Sequence, residues 1–191
     1  GVPGLRDWLC DNDIGVVIDA THPFAATMTA HAAQACTELS LPHLVLVRPA
    51  WDSSDAILVA SDAAAADAVA RRGFSRVFLT TGRSGLAPFS ASEAWFLIRV
   101  VTPPDPADLP RRHRVLLSRG PYGYDDEYAL LRDNRIDALV TKNSGGALTE
   151  AKLAAARDLD VAVVMIQRPA LPAGVQTVNS VDQAVEWLRR Q

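Results

Sequence analysis

The sequence predicts an α/β protein with mostly parallel sheets, and three observations carry that prediction. Apolar runs of strand length alternate with Ala-rich helical patterns along all 191 residues, the order that builds parallel sheets through crossover helices. The strands break into polar loops containing Gly, Ser or Thr. One such unit occurs twice. Asp133 to Lys152 passes from a helix end through the apolar strand Ile136 to Val140, then through the loop Thr141 to Gly146 into an Ala-rich helix whose free N–H groups would face a ligand. Asp11-Asn12-Asp13-Ile14 leads in the same way to Val16-Val17-Ile18, the loop Asp19 to Phe24 and another Ala-rich helix. Val45 to Ala50, ending Arg48-Pro49-Ala50, closes the first unit, and Val164 to Ala170, ending Arg168-Pro169-Ala170, closes the second. These are two related βαβ units with functional loops at the carboxyl ends of their strands.

Composition narrows the class. At 49% hydrophobic and 21% charged residues, the chain has a globular composition and enough length for a sizeable core. A net charge of −3 argues against bulk attraction to nucleic acid or membrane, while leaving room for a locally basic pocket. No apolar run reaches the roughly 20 residues needed to span a bilayer. Cys10 and Cys36 fall in helical patterns without zinc spacing, which predicts reduced structural thiols in a cytoplasmic protein.

Taken in order, Leu5 to Cys10 reads as a short helix feeding the strand Val16 to Asp19. Pro23 suits the first turn of the next helix, because its missing N–H would be unpaired there. Phe24, Met28, Ala32, Ala35 and Leu39 form its core stripe, with His31 beside it as a packed or solvated side chain. Leu44 to Val47 is a strand, Asp52 to Asp55 a polar hinge, and Ile57 to Ala60 a further extended segment. Ser61 and Asp62 cap the helix Ala63 to Arg72, and Gly73 ends it. Val77 to Leu79 is a buried strand and Trp95 to Val101 another. Thr102 to Pro110 contains four prolines and is irregular, either a domain boundary or a surface connection. Val115 to Leu117 is a strand. Asp125, Asp126 and Glu127 fill the first turn of a helix, where negative charge opposes the dipole, so they read as caps. Val161 to Ile166 is a strand. In the last helix Ser180 to Gln183 is a capping box, with Val181, Ala184, Val185 and Leu188 as the buried face.

Four strands end in loops of one kind: Asp19 to Phe24, Thr80 to Gly85, Ser118 to Tyr122, and Thr141 to Gly146. Parallel strands would bring all four to one edge, around one crevice. They offer the cations Arg83, Arg119 and Lys142, the hydroxyls of Thr21, Thr80, Thr81, Ser118 and Ser144, the amide Asn143, and the backbone N–H groups of Gly82, Gly120, Gly145 and Gly146. Such groups suit a ligand rich in carboxylates or phosphates. Neither a dinucleotide nor a P-loop glycine fingerprint is present, and Ser84, Ser118 and Ser144 sit in no nucleophile elbow. His22 is the one His in these loops, with helix capping as its other reading.

Asp19-Ala20-Thr21-His22-Pro23-Phe24-Ala25, Thr80-Thr81-Gly82-Arg83, Ser118-Arg119-Gly120-Pro121 and Thr141 to Gly146, in this order and with Arg48-Pro49-Ala50-Trp51 and Arg168-Pro169-Ala170 between and after them, resemble the precorrin-6A reductase family of cobalamin biosynthesis. The resemblance covers essentially the whole chain. It implies two Rossmann-like domains with mostly parallel sheets facing a cleft, 1–55 as the remainder of the N-terminal domain and 56–191 as the C-terminal one. It further implies NADPH as cofactor, a carboxylate-rich tetrapyrrole as substrate, and reduction of one macrocycle double bond. Members usually open with a strand and a Gly-Gly-Thr type loop that helps bind the nicotinamide cofactor, and the sequence here starts after that point, so the N-terminal domain is expected to be incomplete.

The reaction needs a hydride at an electrophilic ring carbon and a proton at a neighbouring position. Arg83, Arg119 and Lys142 suit the substrate carboxylates. Lys142, His22 and Tyr122 are the proton-donor candidates, while Asp19, ionised at an ordinary pKa, would orient a neighbour. Lys152 reaches the cleft or lies solvated on its helix. The cobalt-containing substrate, a non-catalytic anion-binding module and a transferase such as a methyltransferase are the alternatives.

Overall fold

The computed structural model describes residues 1–191. In chain order its regular elements are α1 (Val2–Asp11), β1 (Val17–Asp19), α2 (Ala26–Glu38), β2 (His43–Leu46), β3 (Ile57–Val59), α3 (Asp62–Arg72), β4 (Arg76–Leu79), β5 (Trp95–Val100), β6 (His113–Leu117), α4 (Tyr124–Asp133), β7 (Ala138–Lys142), α5 (Ala151–Asp158), β8 (Ala162–Ile166), β9 (Gln176–Val178) and α6 (Val181–Leu188). No helix is long and apolar enough to cross a membrane. Every strand pairing is parallel, in two sheets. The expectation of an α/β fold with parallel sheets holds.

The chain divides into two compact units, residues 1–49 with 168–191 and residues 50–167. The expected division at 55/56, with everything beyond it in one domain, differs from this at both ends. The boundary falls at Pro49, and residues 168–191 return to the first unit because β9 pairs with β2 there. The Pro-rich stretch marks no boundary. It joins β5 to its parallel neighbour β6, with one short 3-10 turn at Pro106–Asp108.

The first unit carries the three-stranded sheet β1-β2-β9. Leu9 on α1 packs with Ala35 and Cys36 on α2, and Leu44 on β2 packs with Ala184 and Trp187 on α6. Cys10 is exposed and Cys36 buried, both free, and burial pushes the Cys36 thiol pKa up. Two local expectations need correction. Pro23 does not start α2: it lies in a turn closed by Ala25 N–H donating to the His22 carbonyl, and the helix begins at Ala26 with Met28 exposed rather than in the core. On α6 the buried residues are Ala184 and Trp187, whereas Val181, Val185 and Leu188 face outward.

The second unit is the six-stranded sheet β3-β8-β7-β4-β5-β6. Phe78, Leu97 and Leu139 on adjacent strands form its core with Leu131 of α4 and Ala155 and Ala156 of α5. The chain runs from β4 through β5 to β6 in one direction, then returns through β7 and β8 in the other. The crevice between the carboxyl ends of β4 and β7 is therefore a topological switch point, where doubly wound sheets bind ligands.

The repeated Asp-Asn-x-Ile sequence is a helix stop. After α1 and α4 alike, the Asn side chain donates to the carbonyl four residues back (Asn12 to Trp8 at 2.8 Å, Asn134 to Leu130 at 2.7 Å). The next residue turns left-handed (Asp13 φ 52°, Arg135 φ 51°), and the Ile N–H returns to a carbonyl of the last turn at 3.0 Å. These bonds satisfy carbonyls that a helix end otherwise leaves bare.

Candidate functional site

Three of the four loops follow strands of one sheet. Thr80–Gly85 follows β4, Ser118–Tyr122 follows β6, and Thr141–Gly146 spans the end of β7 and the residues beyond it, so they share one carboxyl edge. The fourth, Asp19–Phe24, follows β1 in the other sheet, which corrects the expectation of a single edge for all four.

At the switch point the β4 and β7 loops are tied together. Lys142 Nζ donates to the Thr81 carbonyl at 2.8 Å and lies 3.8 Å from Asp62 Oδ2. The Thr80 N–H and hydroxyl both donate to the Val140 carbonyl, at 3.0 and 3.1 Å. Gly85 is required by space: a Cβ there would lie 2.4 Å from Asp62 Oδ1 and 2.7 Å from Thr81 Oγ1. Gly82, Gly145 and Gly146 are required by backbone, with φ of 82°, 68° and 83°. The α-helix after the glycines does not start at once. A 3-10 turn, Ala147–Thr149, intervenes and α5 begins at Ala151, so the expected helix N-terminus is not the direct neighbour of the loop.

Trp51 holds the β7 loop from within its unit. Its backbone N–H donates to Asn143 Oδ1 at 2.9 Å, Asn143 Nδ2 returns to the Trp51 carbonyl at 3.4 Å, and the indole N–H donates to the Gly146 carbonyl at 3.0 Å. Ser144 N–H donates to the Lys142 carbonyl at 2.8 Å. Lys152 is buried, 4% exposed, with Nζ donating to the Thr149 carbonyl at 2.6 Å and lying 4.4 Å from the Trp51 ring centroid. The solvated alternative for Lys152 is thereby excluded. Burial first, with Arg99 adding to it and Glu127 opposing, pulls its ammonium pKa down to about 7.

At the β6 loop, Tyr122 donates its hydroxyl to the Ser118 carbonyl at 2.9 Å and its N–H to the Leu148 carbonyl at 3.2 Å. Its ring lies 3.7 Å from the Arg99 guanidinium carbon, and a Cβ on Gly120 would come within 3.3 Å of that ring. Arg99 is buried and forms a two-pronged pair with Glu127. Glu127 is therefore an ion-pair partner rather than the exposed cap expected. Arg83 and Arg119 are exposed, and neither is tied to another side chain.

In the first unit Asp19 is buried, and its Oδ1 accepts the Thr21 N–H at 2.8 Å. Burial raises its pKa, but hydrogen bonding from Thr29 and Thr21, with His43 nearby, outweighs burial and lowers it. Its Oδ2 has no partner within hydrogen-bond distance, so the Thr29 contribution is a near contact rather than a formed bond. His22 Nδ1 accepts the Phe24 N–H at 3.2 Å, which leaves the imidazole proton on Nε2.

The donor set fits anionic groups: two unengaged guanidinium groups, Gly-rich backbone and hydroxyls at one sheet edge suit the phosphates of a dinucleotide and the carboxylates of an organic acid alike. Fold and site together define an α/β protein of the doubly wound kind whose switch-point edge carries cations, hydroxyls and glycine backbone. The family described as precorrin-6x reductase CbiJ/CobK matches residues 1–189. The chain belongs to that family, one of reductases, for which a reduced nicotinamide is the implied hydride source. A precorrin-6A reductase of Mycobacterium tuberculosis (strain ATCC 25618 / H37Rv) is 66% identical over 188 residues, covering 98% of this chain and 77% of the relative. A cobalt-precorrin-6A reductase of Methanothermobacter thermautotrophicus is 32% identical over 178 residues, covering 87% and 58%. A solved structure of CobK precorrin-6A reductase superposes with a TM-score of 0.91 at 39% identity, covering 100% of this chain and 79% of that one.

Sequence reasoning gave no site role to Arg99, read Asp62 only as a helix cap and used Trp51 only as part of the Arg48-Pro49-Ala50-Trp51 motif. The signal for Arg99 was a single cation inside the otherwise apolar run Trp95 to Val101, and for Trp51 its place after Arg48-Pro49-Ala50.

Proposed function

We propose that this protein reduces one macrocycle double bond of precorrin-6A to give the dihydro product in cobalamin biosynthesis, with NADPH as hydride source. The observation that carries the reading is the pair of unengaged guanidinium groups, Arg83 and Arg119, on the carboxyl edge that also holds Lys142 and the β7 glycine loop. When bound, the nicotinamide supplies the hydride. The chain's own residues bind, orient and supply the proton. Arg83 and Arg119 take substrate carboxylates or cofactor phosphates, and N–H groups of Gly82, Gly120, Gly145 and Gly146, with Ser118, Ser144, Thr80 and Thr81, take further anionic oxygens without steric cost. Asn143 shapes its loop through Trp51.

Of the three proton-donor candidates, Lys142 is the one we assign. Its ammonium is held at the switch point by the Thr81 carbonyl and Asp62, on the strand end where doubly wound sheets receive their ligands. The Tyr122 hydroxyl is committed to Ser118 within its own loop. In the first unit, His22 and Asp19, the latter a buried acid with the Thr21 N–H on its carboxylate, are both assigned to ligand orientation. The higher identity to a precorrin-6A reductase than to a cobalt-precorrin-6A reductase favours the metal-free substrate. The protein requires no nucleic acid or membrane for this role, and the cytoplasm suits it.

The test follows nicotinamide oxidation by the whole protein with precorrin-6A, comparing NADPH with NADH. Precorrin-dependent consumption of NADPH, faster than that of NADH, is expected. No consumption with either cofactor overturns the reading.

A further inference from the structure

Lys152 lies in a place where an ammonium is costly. It is 4% exposed, and its charge is met by the Thr149 carbonyl at 2.6 Å and the face of Trp51 at 4.4 Å. The charged groups that act on it are Arg99 from β5 and Glu127 from α4, and Glu127 is already held two-pronged by Arg99. Two cations thus share one carboxylate in the interior, and the second cation is left on an aromatic ring. The same residue secures the β7 loop twice, its backbone N–H at Asn143 and its indole N–H at Gly146. Replacing Lys152 by an apolar side chain would remove a desolvated charge, so its presence calls for a role other than stability.

We propose that Lys152 is a positioning residue: its ammonium, set against the Trp51 indole, fixes the ring whose N–H holds the Gly146 carbonyl, and so sets the glycine end of the β7 loop for a carboxylate of the tetrapyrrole. The inference rests on the functional reading above for its ligand. The attraction of a cation to an indole face exists only while the amine is protonated. With the ammonium pulled down to about 7, the positioning force is present below that pH and lost above it. The burial penalty moves the other way: the fold is relieved of a buried charge as pH rises.

The experiment compares wild type, Lys152→Met and Trp51→Phe across pH 6 to 9, measuring KM and kcat for precorrin-6A together with denaturant stability. In wild type, KM rises about tenfold as the pH passes through about 7 while kcat stays steady, the size of a desolvated cation–aromatic contact. Lys152→Met shows the high KM throughout, with no pH step, and is at least as stable as wild type at pH 6. Trp51→Phe keeps a ring for the ammonium but loses the bond to Gly146, so its KM is raised at every pH and its step persists. Wild-type KM and pH profile retained in Lys152→Met overturn the inference, as does a wild-type KM without a step. If wild type consumes no NADPH with precorrin-6A, it is the functional reading that has failed. The ammonium–indole contact is then read from tryptophan emission alone: a step near pH 7 in wild type that is missing in Lys152→Met supports it, and its absence from wild type overturns it.

Discussion

Arg99 and Glu127 meet inside the second unit as a two-pronged ion pair, with Nη2 donating to Oε2 at 2.8 Å and Nη1 to Oε1, both side chains under 10% exposed. The guanidinium carbon also lies 3.7 Å from the Tyr122 ring centroid and 4.7 Å from that of Phe78. Removing one partner strands a buried charge. Glu127→Ala is expected to destabilise by about 3–5 kcal/mol, and Arg99→Leu combined with Glu127→Leu by clearly less, because the double change leaves no unpaired charge. Urea unfolding of the single and double variants decides this; equal losses in both would contradict it.

Gly85 has no room for a methyl group between Asp62 and Thr81. Gly85→Ala should cost about 1–3 kcal/mol by overpacking and should also disturb Lys142, which leans on the same Asp62 and Thr81. A thermal melt and a kcat measurement read the two effects. A variant with wild-type values in both would show that the loop gives way freely.

Arg83 is exposed and untied, so its loss should leave the fold within about 0.5 kcal/mol of wild type while raising KM for the tetrapyrrole about tenfold. Lys142→Met should instead reduce kcat, by about 100-fold for a lost proton donor. Steady-state kinetics separate the two, and a Lys142→Met enzyme with unchanged kcat removes Lys142 from proton transfer.

Asp13 and Arg135 occupy left-handed backbone where a side chain is strained. Asp13→Gly and Arg135→Gly are each expected to relieve about 1 kcal/mol of that strain, partly offset by the greater freedom of Gly in the unfolded chain. A small gain, or no loss, in denaturant midpoint is the expected reading for both, in contrast to Gly placed inside a helix.

Asp19 has a folded-state pKa below its usual 3.8: burial raises it, but the hydrogen bonding from Thr21, with Thr29 and His43 close by, outweighs burial. A depressed carboxylate contributes stability above the unfolded value, and that contribution is lost as pH falls through the folded one. Relative to Asp19→Asn, wild type should therefore hold its full advantage above pH 3.8 and lose it in stronger acid. Acid unfolding curves of the two proteins should converge only there.

The inner strands β4, β5, β7 and β8 of the large sheet could be read directly because they are largely apolar runs with mostly buried residues. β9 could not: Gln176-Thr177-Val178 has a single apolar residue, and its place beside β2 arises from a pairing across more than half the chain. With that strand missing from the reading, the face of α6 was set by counting apolar residues, and Trp187 was overlooked in favour of Val181, Val185 and Leu188. Glu127 shows the same limit within the site. In a first helical turn an acid that caps and an acid that pairs look alike, and the distinction lies in Arg99, a strand away. The loop motifs themselves were legible because Gly, hydroxyl and cation types are dictated locally by backbone and charge.

The second unit is inserted between Pro49 and Arg168, and the Arg168 guanidinium donates to the Arg48 and Pro49 carbonyls at 2.7 and 3.3 Å. The chain thus leaves the first unit and re-enters it at nearly one point. On the ribosome this fixes an order of events. β2 emerges long before β9, so its outer hydrogen bonds and the Trp187 packing against Leu44 wait until the whole inserted unit has been made. The insert, whose entry and exit are joined, is free to close on itself in the meantime. The nascent first unit is the stage exposed to mispairing or chaperone capture until residues 168–191 have been made.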